Sequence, residues 1–179
     1  MRARNDNLTV LAPVLAGHLD ILRADLAALP AGDGSPFARV PGTHLARLTV
    51  VPGLDDRDLR PVSRAGAFLL FATDCDGDGA DHVERLRGGL GEVADTVWGH
   101  CAGYPGRARA RVFARWMLEH RVPVGFSVAP YRPASVGAIL AAEEVQRRLV
   151  RFAARAPGLA PSERKATWLR EFGDGRGGP

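Results

Sequence analysis

Two strand-like runs joined by a polar segment constrain the fold of this 179-residue chain more than any other feature. Residues 43–51 and 66–74 are rich in β-branched and aromatic side chains and are bounded by Pro and Gly, which is typical of β-strands. The segment between them, which includes the run from Asp55 to Asp58, is too polar for a core element. We therefore expect the two strands to pair antiparallel, as a hairpin with a long charged connection.

Apolar residues spaced by three and four predict helices on both sides of this hairpin. The first helix is expected over about residues 9–29, from a leucine stripe that begins at Leu15 and ends before Pro30. The other predicted elements are a helix over 80–101 weakened at Gly88-Gly89, a helix over 107–120 burying Val112, Phe113, Trp116 and Met117, a strand over 122–131, a long helix with N-cap Ser135, and a helix from Pro161.

This order of elements predicts an α+β fold, in which helices pack on one face of an antiparallel sheet. A ferredoxin-like layout is the first choice. The expected organisation is an N-terminal helix and loop over 1–36, the α+β domain over 37–156, and a short helix with a disordered tail over 157–179. The second face of such a sheet is left for a ligand, a partner subunit or another helix, so we expect function there.

Strand alternation indicates which side chains reach that open face. Arg47 and Thr49 belong to the more polar face of the first hairpin strand, and Ser127 and Tyr131 share a face of the strand predicted over 122–131. Small residues nearby would leave room for a ligand. His44 is expected on the opposite face from Arg47, so these two residues are not predicted to form one catalytic pair.

Composition and charge exclude several classes of function. The chain is 46% hydrophobic and 25% charged, which is typical of a globular domain. Its net charge of +4 is carried by arginines interleaved with acids, so no nucleic-acid partner is expected. No apolar run approaches the ~20 residues of a membrane span. Cys75 and Cys101 form no disulfide framework, which favours a reduced, cytoplasmic setting.

Two motifs allow either a chemical or a structural interpretation. The segment Trp98–Gly106 places His100, Cys101 and Tyr104 where a helix stops, and a histidine at a helix C-terminus is also stabilised by the helix dipole alone. The run Asp74–Gly79 is similar to the start of an EF-hand loop. Arg85 takes the position where that loop needs a bidentate Glu, so a helix N-terminus near Asp78 or Asp81 is the better interpretation.

Three signatures together resemble a family of largely uncharacterised bacterial proteins with an H-F-A-R strand, an L-L-F-S-[ST]-N-x-D-G strand and an H-C-E-G-Y-P turn. They are His44-Leu45-Ala46-Arg47, Leu69-Leu70-Phe71-Ala72-Thr73 with Asp76-Gly77, and His100-Cys101-Ala102-Gly103-Tyr104-Pro105, followed by a similar helix entry at Tyr131-Arg132-Pro133-Ala134-Ser135-Val136. The resemblance spans about residues 8–155 and implies a ferredoxin-like fold, with distant relatives that form dimeric barrels holding haem or oxidising small molecules. The chain departs from the pattern at Leu45, Cys75 and Ala102.

Two functional hypotheses follow. The first is a small-molecule enzyme, an oxidoreductase or haem-linked protein, with its ligand on the open sheet face. Arg47 would bind an acid group, and Tyr131 or His100 would donate a proton or coordinate haem iron. The additional ligand contacts predicted are Thr49, Ser127, Tyr104 and Arg132. The alternative is a non-catalytic binding or assembly module, whose open face pairs with a second copy in a homodimer or with a partner enzyme.

Overall fold

The computed structural model describes residues 5–52, 66–125 and 134–173, which belong to two compact units divided between Pro133 and Ala134. The described helices and strands of the first unit are β1 (Asn5–Pro13), α1 (Leu19–Ala28), the 3-10 helices Gly32–Gly34 and Pro36–Arg39, β2 (Thr43–Pro52), β3 (Ala67–Asp76), α2 (Gly79–Leu90), α3 (Glu92–Trp98) and α4 (Ala110–Glu119). Those of the second unit are α5 (Val136–Arg155), the 3-10 helix Ala156–Gly158 and α6 (Pro161–Phe172).

The described strands form one antiparallel sheet in the order β1-β3-β2, so β3 is the central strand. β1 pairs with β3 without interruption from Asn5 opposite Asp76 to Pro13 opposite Phe68. β2 pairs with the other edge of β3, with a bulge between Thr43 and Leu45. The α+β class and the antiparallel pairing of the two predicted strands are confirmed, while residues 53–65 of their connection lie outside the described part.

The core lies on one face of this sheet, because alternate residues of β1 and β3 are buried beneath the helices. Phe71 is fully buried at the middle of β3. Its ring stacks on Phe37 with centroids 5.7 Å apart and meets the edge of Trp98 at 5.4 Å. The same cluster includes Leu8, Val10, Leu22, Leu69, Val83, Leu86, Val97, Phe113 and Met117.

The helix predicted over 9–29 is wrong in its first half, where the chain forms β1. Leu8, Val10 and Ala12 are all fully buried, an alternation with the two-residue period of a strand. Their pairing with β3 outweighs the weak helical signal of the leucine stripe. Gly17, with φ +79°, turns the chain between the strand and α1, which begins only at Leu19.

The strand predicted over 122–131 is not formed in its described part, residues 122–125, and the rest lies outside the described residues. Two short segments instead cover the outer edge of β1. Val14 forms an isolated bridge with Cys101, and Val10 forms one with Arg121. Val122 contributes one further hydrogen bond, from its backbone N to Thr9 O at 2.8 Å. Covering an edge strand in this way blocks pairing with other chains.

The helix predicted over 80–101 is divided in two. The break falls at Gly91, which has φ +56°, and not at Gly88-Gly89. In α4 the predicted buried face is confirmed for Phe113, Trp116 and Met117 and is wrong for Val112, which lies at the border of that face and is 37% exposed.

The second unit is a pair of helices joined by a short turn. Ser135 is the N-cap of α5, as predicted, since its Oγ accepts a hydrogen bond from Ala138 N at 3.1 Å. α6 begins at Pro161, also as predicted, and buries Phe152 beneath Trp168 and Phe172. Within the described ranges, no helix combines the length and the apolarity needed to cross a bilayer.

His82 on α2 is an isolated polar group in the core. It is fully buried, and neither ring nitrogen has a hydrogen-bond partner. Burial, and secondarily the charge of Arg85, lowers the pKa of His82 from 6.5 to about 4. In the unfolded chain His82 therefore binds a proton below pH 6.5, whereas in the folded chain it binds one only below about pH 4.

We expect the protein to lose about 3 kcal/mol of unfolding free energy between pH 6.5 and pH 4 through this histidine. Replacement of His82 by Leu should remove that loss, because no imidazole remains to be protonated on unfolding. Urea unfolding at several pH values measures the effect, with His120→Leu as the control. Parallel pH profiles for the wild type and His82→Leu would contradict the prediction.

Candidate functional site

His100 is held at the end of β1 by the backbone. α3 ends at Trp98, and the turn that follows runs beside the last residues of the strand. Leu15 N donates to His100 O at 2.9 Å, and Ala102 N donates to Pro13 O at 2.8 Å. These two bonds fix His100 next to the turn that begins α1.

His100 lies between His18 and Asp25, both carried by the α1 segment. His100 Nε2 is 2.9 Å from Asp25 Oδ2, and its Nδ1 is 3.1 Å from His18 Nδ1. A carboxylate only accepts hydrogen bonds, so Asp25 favours a hydrogen on Nε2. In neutral His100 the lone pair is then on Nδ1, directed at His18. We call His18 and His100 the imidazole pair.

The sequence only weakly indicates that His18 and Asp25 are the partners of His100. His18 and Asp25 are seven residues apart, so both lie on one face of a helix that begins near residue 18. That face becomes apparent only once the start of α1 is known, and the contact to His100 spans 82 residues of sequence.

Tyr104 is a core residue and does not join the imidazole pair. Its ring packs edge-to-face against Phe113 and Trp116, and its hydroxyl donates to Asp95 Oδ1 at 2.8 Å. Burial and the hydrogen bond to Asp95 raise the pKa of Tyr104 far above its ordinary value. The phenol therefore stays protonated and stabilises the turn after α3.

The two thiols are similarly unreactive. Cys101 is 2% exposed and Cys75 is fully buried. Burial raises the pKa of Cys101 to about 12 and is the main cause that raises the pKa of Cys75 to about 11. Because the thiolate is the nucleophile and metal ligand, neither cysteine is prepared for such chemistry at neutral pH. Of the three groups predicted to meet after α3, only the imidazole is placed for chemistry.

Arg47 and Thr49 lie on the exposed face of β2, and the face sorting predicted for this strand is confirmed, with Ala46 and Leu48 on the core side. The structure does not bring these residues to His100. β2 is one edge of the sheet, His100 lies beside the outer edge of β1, and β3 is between them. The other predicted contacts, Ser127, Tyr131 and Arg132, lie outside the described residues.

A cavity of about 480 Å3 lies between the C-terminal half of α1, the loop after it and β2. His44, at the bulge of β2, lines it, and its Nε2 is 2.8 Å from Asp76 Oδ1 and 3.3 Å from Asn5 Nδ2. The other lining residues are mostly apolar: Leu26, Leu29, Pro30, Ala31, Pro36, Phe37, Ala38, Leu45, Ala46 and Leu48, with Gly32, Ser35 and Thr43. In the sequence, His44 is marked only by the strand signature and by its place on the face opposite Arg47.

The acidic loop after β3 uses its carboxylates separately. Asp74 Oδ1 accepts from Asn7 Nδ2 at 2.7 Å, while Asp76 contacts His44. The helix N-terminus predicted near Asp78 or Asp81 is confirmed: Asp78 is the N-cap of α2 and accepts from Ala80 N at 2.7 Å, and Asp81 lies in the first turn. In the described part of the chain, no three His, Cys, Asp or Glu side chains converge as a metal site.

Comparison of the chain with known protein families, with curated proteins and with solved structures gives no match. The family resemblance therefore stays a prediction. Haem, which that resemblance implies, stays a prediction with it. Of its two candidate axial ligands, Tyr131 lies outside the described residues, and His100 contacts His18 through Nδ1 and Asp25 through Nε2.

The contacts of Asp95 predict a stability effect in acid. Burial opposes its ionisation, but Arg107 N, the Tyr104 hydroxyl and Arg107 Nε all bind the carboxylate, and together they lower the pKa of Asp95 below 3.8. Its stabilising contribution is complete above that pH and is lost as pH falls through the lowered value.

We therefore expect Asp95→Asn to destabilise the protein near neutral pH, and the difference from wild type to shrink as pH falls from about 5 towards 2. Chemical unfolding across this range measures it. Glu92→Gln is the matched control, because Glu92 reaches the same Arg107 at 3.8 Å but is 92% exposed. A pH-independent difference for Asp95→Asn would argue against the interpretation.

Proposed function

We propose that this protein binds a mostly apolar small molecule in the cavity between α1 and β2. The observation that carries the proposal is a space of about 480 Å3 with apolar walls and a His44–Asp76 pair beside it. Sites for small molecules typically measure about 300–1,000 Å3 and combine apolar walls with a few polar groups.

The polar groups of the wall favour a ligand with a hydroxyl or a similar group. The Thr43 hydroxyl donates to Val40 O at 2.9 Å, so its oxygen can accept from a ligand. Ser35 Oγ accepts from Phe37 N at 3.3 Å, so its hydrogen can be donated. Leu26 and Leu29 would contact the apolar body of the ligand.

The order of the strands supports a ferredoxin-like layout as part of this proposal. β1, α1 and β2 form a split β-α-β unit, because β3 lies between the two strands that α1 connects. The cavity is on the helical side of this unit, opposite the face that carries Arg47 and Thr49. The family resemblance implies that the reaction is an oxidation of the bound molecule.

Filling the cavity tests the binding proposal. Ala38 is exposed and lines the space, so Ala38→Trp should occupy it without disturbing the core. With 2-naphthol as a fluorescent probe, we expect saturable binding to the wild type and at least about tenfold weaker binding to Ala38→Trp. Ala141→Trp, at an exposed position of α5 away from the cavity, should bind as the wild type does. Equal affinity for all three proteins would overturn the proposal.

The second unit favours one further candidate function, self-assembly into a homodimer. On α5, the residues Ala138, Ala142, Val145, Leu149 and Phe152 alternate by four and three, which is the seam spacing of paired helices. α6 buries Phe152, but Val145 and Leu149 are 51% and 43% exposed. We propose that a second copy of this helix covers the exposed part of the seam.

Light scattering coupled to gel filtration tests this assembly. We expect a dimer for the wild type and a monomer for the double variant Val145→Glu and Leu149→Glu, because burying two carboxylates in an apolar seam is unfavourable. Leu140→Glu is the matched control. Leu140 is 56% exposed on the same helix but lies off the seam, so this variant should stay dimeric. A monomeric wild type would rule out the homodimer.

A further inference from the structure

We propose that the imidazole pair, His18 and His100, binds a divalent transition-metal ion of the kind that prefers imidazole ligands, such as Zn2+ or Cu2+. The ion would lie between the two Nδ1 atoms. This site is distinct from the cavity between α1 and β2, and the proposal that the cavity binds a small molecule does not depend on the metal site.

The distance between the two nitrogens fits such an ion. A histidine nitrogen lies about 2.0–2.1 Å from bound zinc, so two of them at angles of about 90–110° are about 2.9–3.4 Å apart. The observed separation of 3.1 Å falls inside that range. The two nitrogens are therefore as far apart as two imidazole ligands of one ion would be.

Asp25 supplies the support that metal-binding histidines commonly have. Its carboxylate is 2.9 Å from His100 Nε2, which favours a hydrogen on that nitrogen and a lone pair on Nδ1. Carboxylates in this outer position orient the ring and raise the basicity of the ligand. Asp25 is thus a positioning residue, not a ligand.

The backbone around the pair is also fixed in advance. Leu15 N donates to His100 O, and His18 N donates to Leu15 O at 3.1 Å, so one residue connects both histidine segments. The side chain of His100 is 15% exposed and that of Asp25 is 35% exposed, so an ion can reach the pair from solvent. The described residues supply two ligating side chains, and water completes the coordination, as in open sites.

Calorimetric titration of the full chain with Zn2+ tests the site. We expect one equivalent to bind the wild type, and at least about 100-fold weaker binding after His18→Ala or His100→Ala, since each removes one of two ligands. Asp25→Asn should weaken binding by about 10- to 100-fold, as for other outer-position carboxylates. His120→Ala is the matched control and should leave the affinity unchanged, because His120 contacts Trp116 instead.

A second measurement separates loss of the site from loss of the fold. Cu2+ bound to the wild type should give an electron paramagnetic resonance spectrum with two imidazole nitrogens, and His18→Ala should give one. Circular dichroism before metal addition establishes that each variant is folded. If His18→Ala binds Zn2+ as tightly as the wild type, or if the wild type binds none, the contact is only a hydrogen bond between rings and the proposal is overturned.

Discussion

The pairing of β3 with a strand on each side is the constraint on which the rest of the first unit depends. Nine consecutive residues of β1 are in register with β3, and β2 pairs along the other edge. This pairing satisfies the backbone of the central strand, so its alternate side chains can be buried without cost to hydrogen bonding. Phe71 at its middle then organises the aromatic contacts to Phe37 and Trp98. The helices pack against the apolar face of the sheet and bury it.

α1 connects this packing to both candidate sites, because it links the two edge strands across the core face. The start and middle of the helix segment carry His18 and Asp25, which meet His100 beside β1. Its C-terminal end carries Leu26 and Leu29, which line the cavity beside β2. Leu22 is fully buried between them and holds the helix against the core. The two proposed sites are therefore about two helix turns apart in sequence, from His18 to Leu26, and lie towards different edges of the sheet.

How far the sequence predicts this structure depends on how local each signal is. The β2–β3 pairing, the N-cap Ser135, the helix start near Asp78 and three of the four residues of the predicted buried face of α4 follow from patterns within a few residues, and these are observed. β1 was missed because its two-residue alternation merges with a leucine stripe that continues into α1. The break in the helix predicted over 80–101 falls at Gly91 because, of the glycines in that range, Gly91 is the one with a positive φ. The contacts of His18 with His100, and of His44 with Asp76, join distant segments, and no single-sequence pattern encodes such pairings.

The turn after α3 shows why residue type alone does not identify a functional group. His100, Cys101 and Tyr104 are close in sequence, yet the fold gives each a different environment. Cys101 is buried and loses its acidity, and Tyr104 is committed to Asp95 and two aromatic rings. His100 contacts His18 and Asp25, and its side chain is 15% exposed. A reactive or ligating group must exchange protons or bind from solution, which the buried thiol cannot do and which the phenol, hydrogen-bonded to Asp95, is not free to do. The imidazole, oriented by Asp25 and paired with His18, keeps the capacity that its neighbours lack.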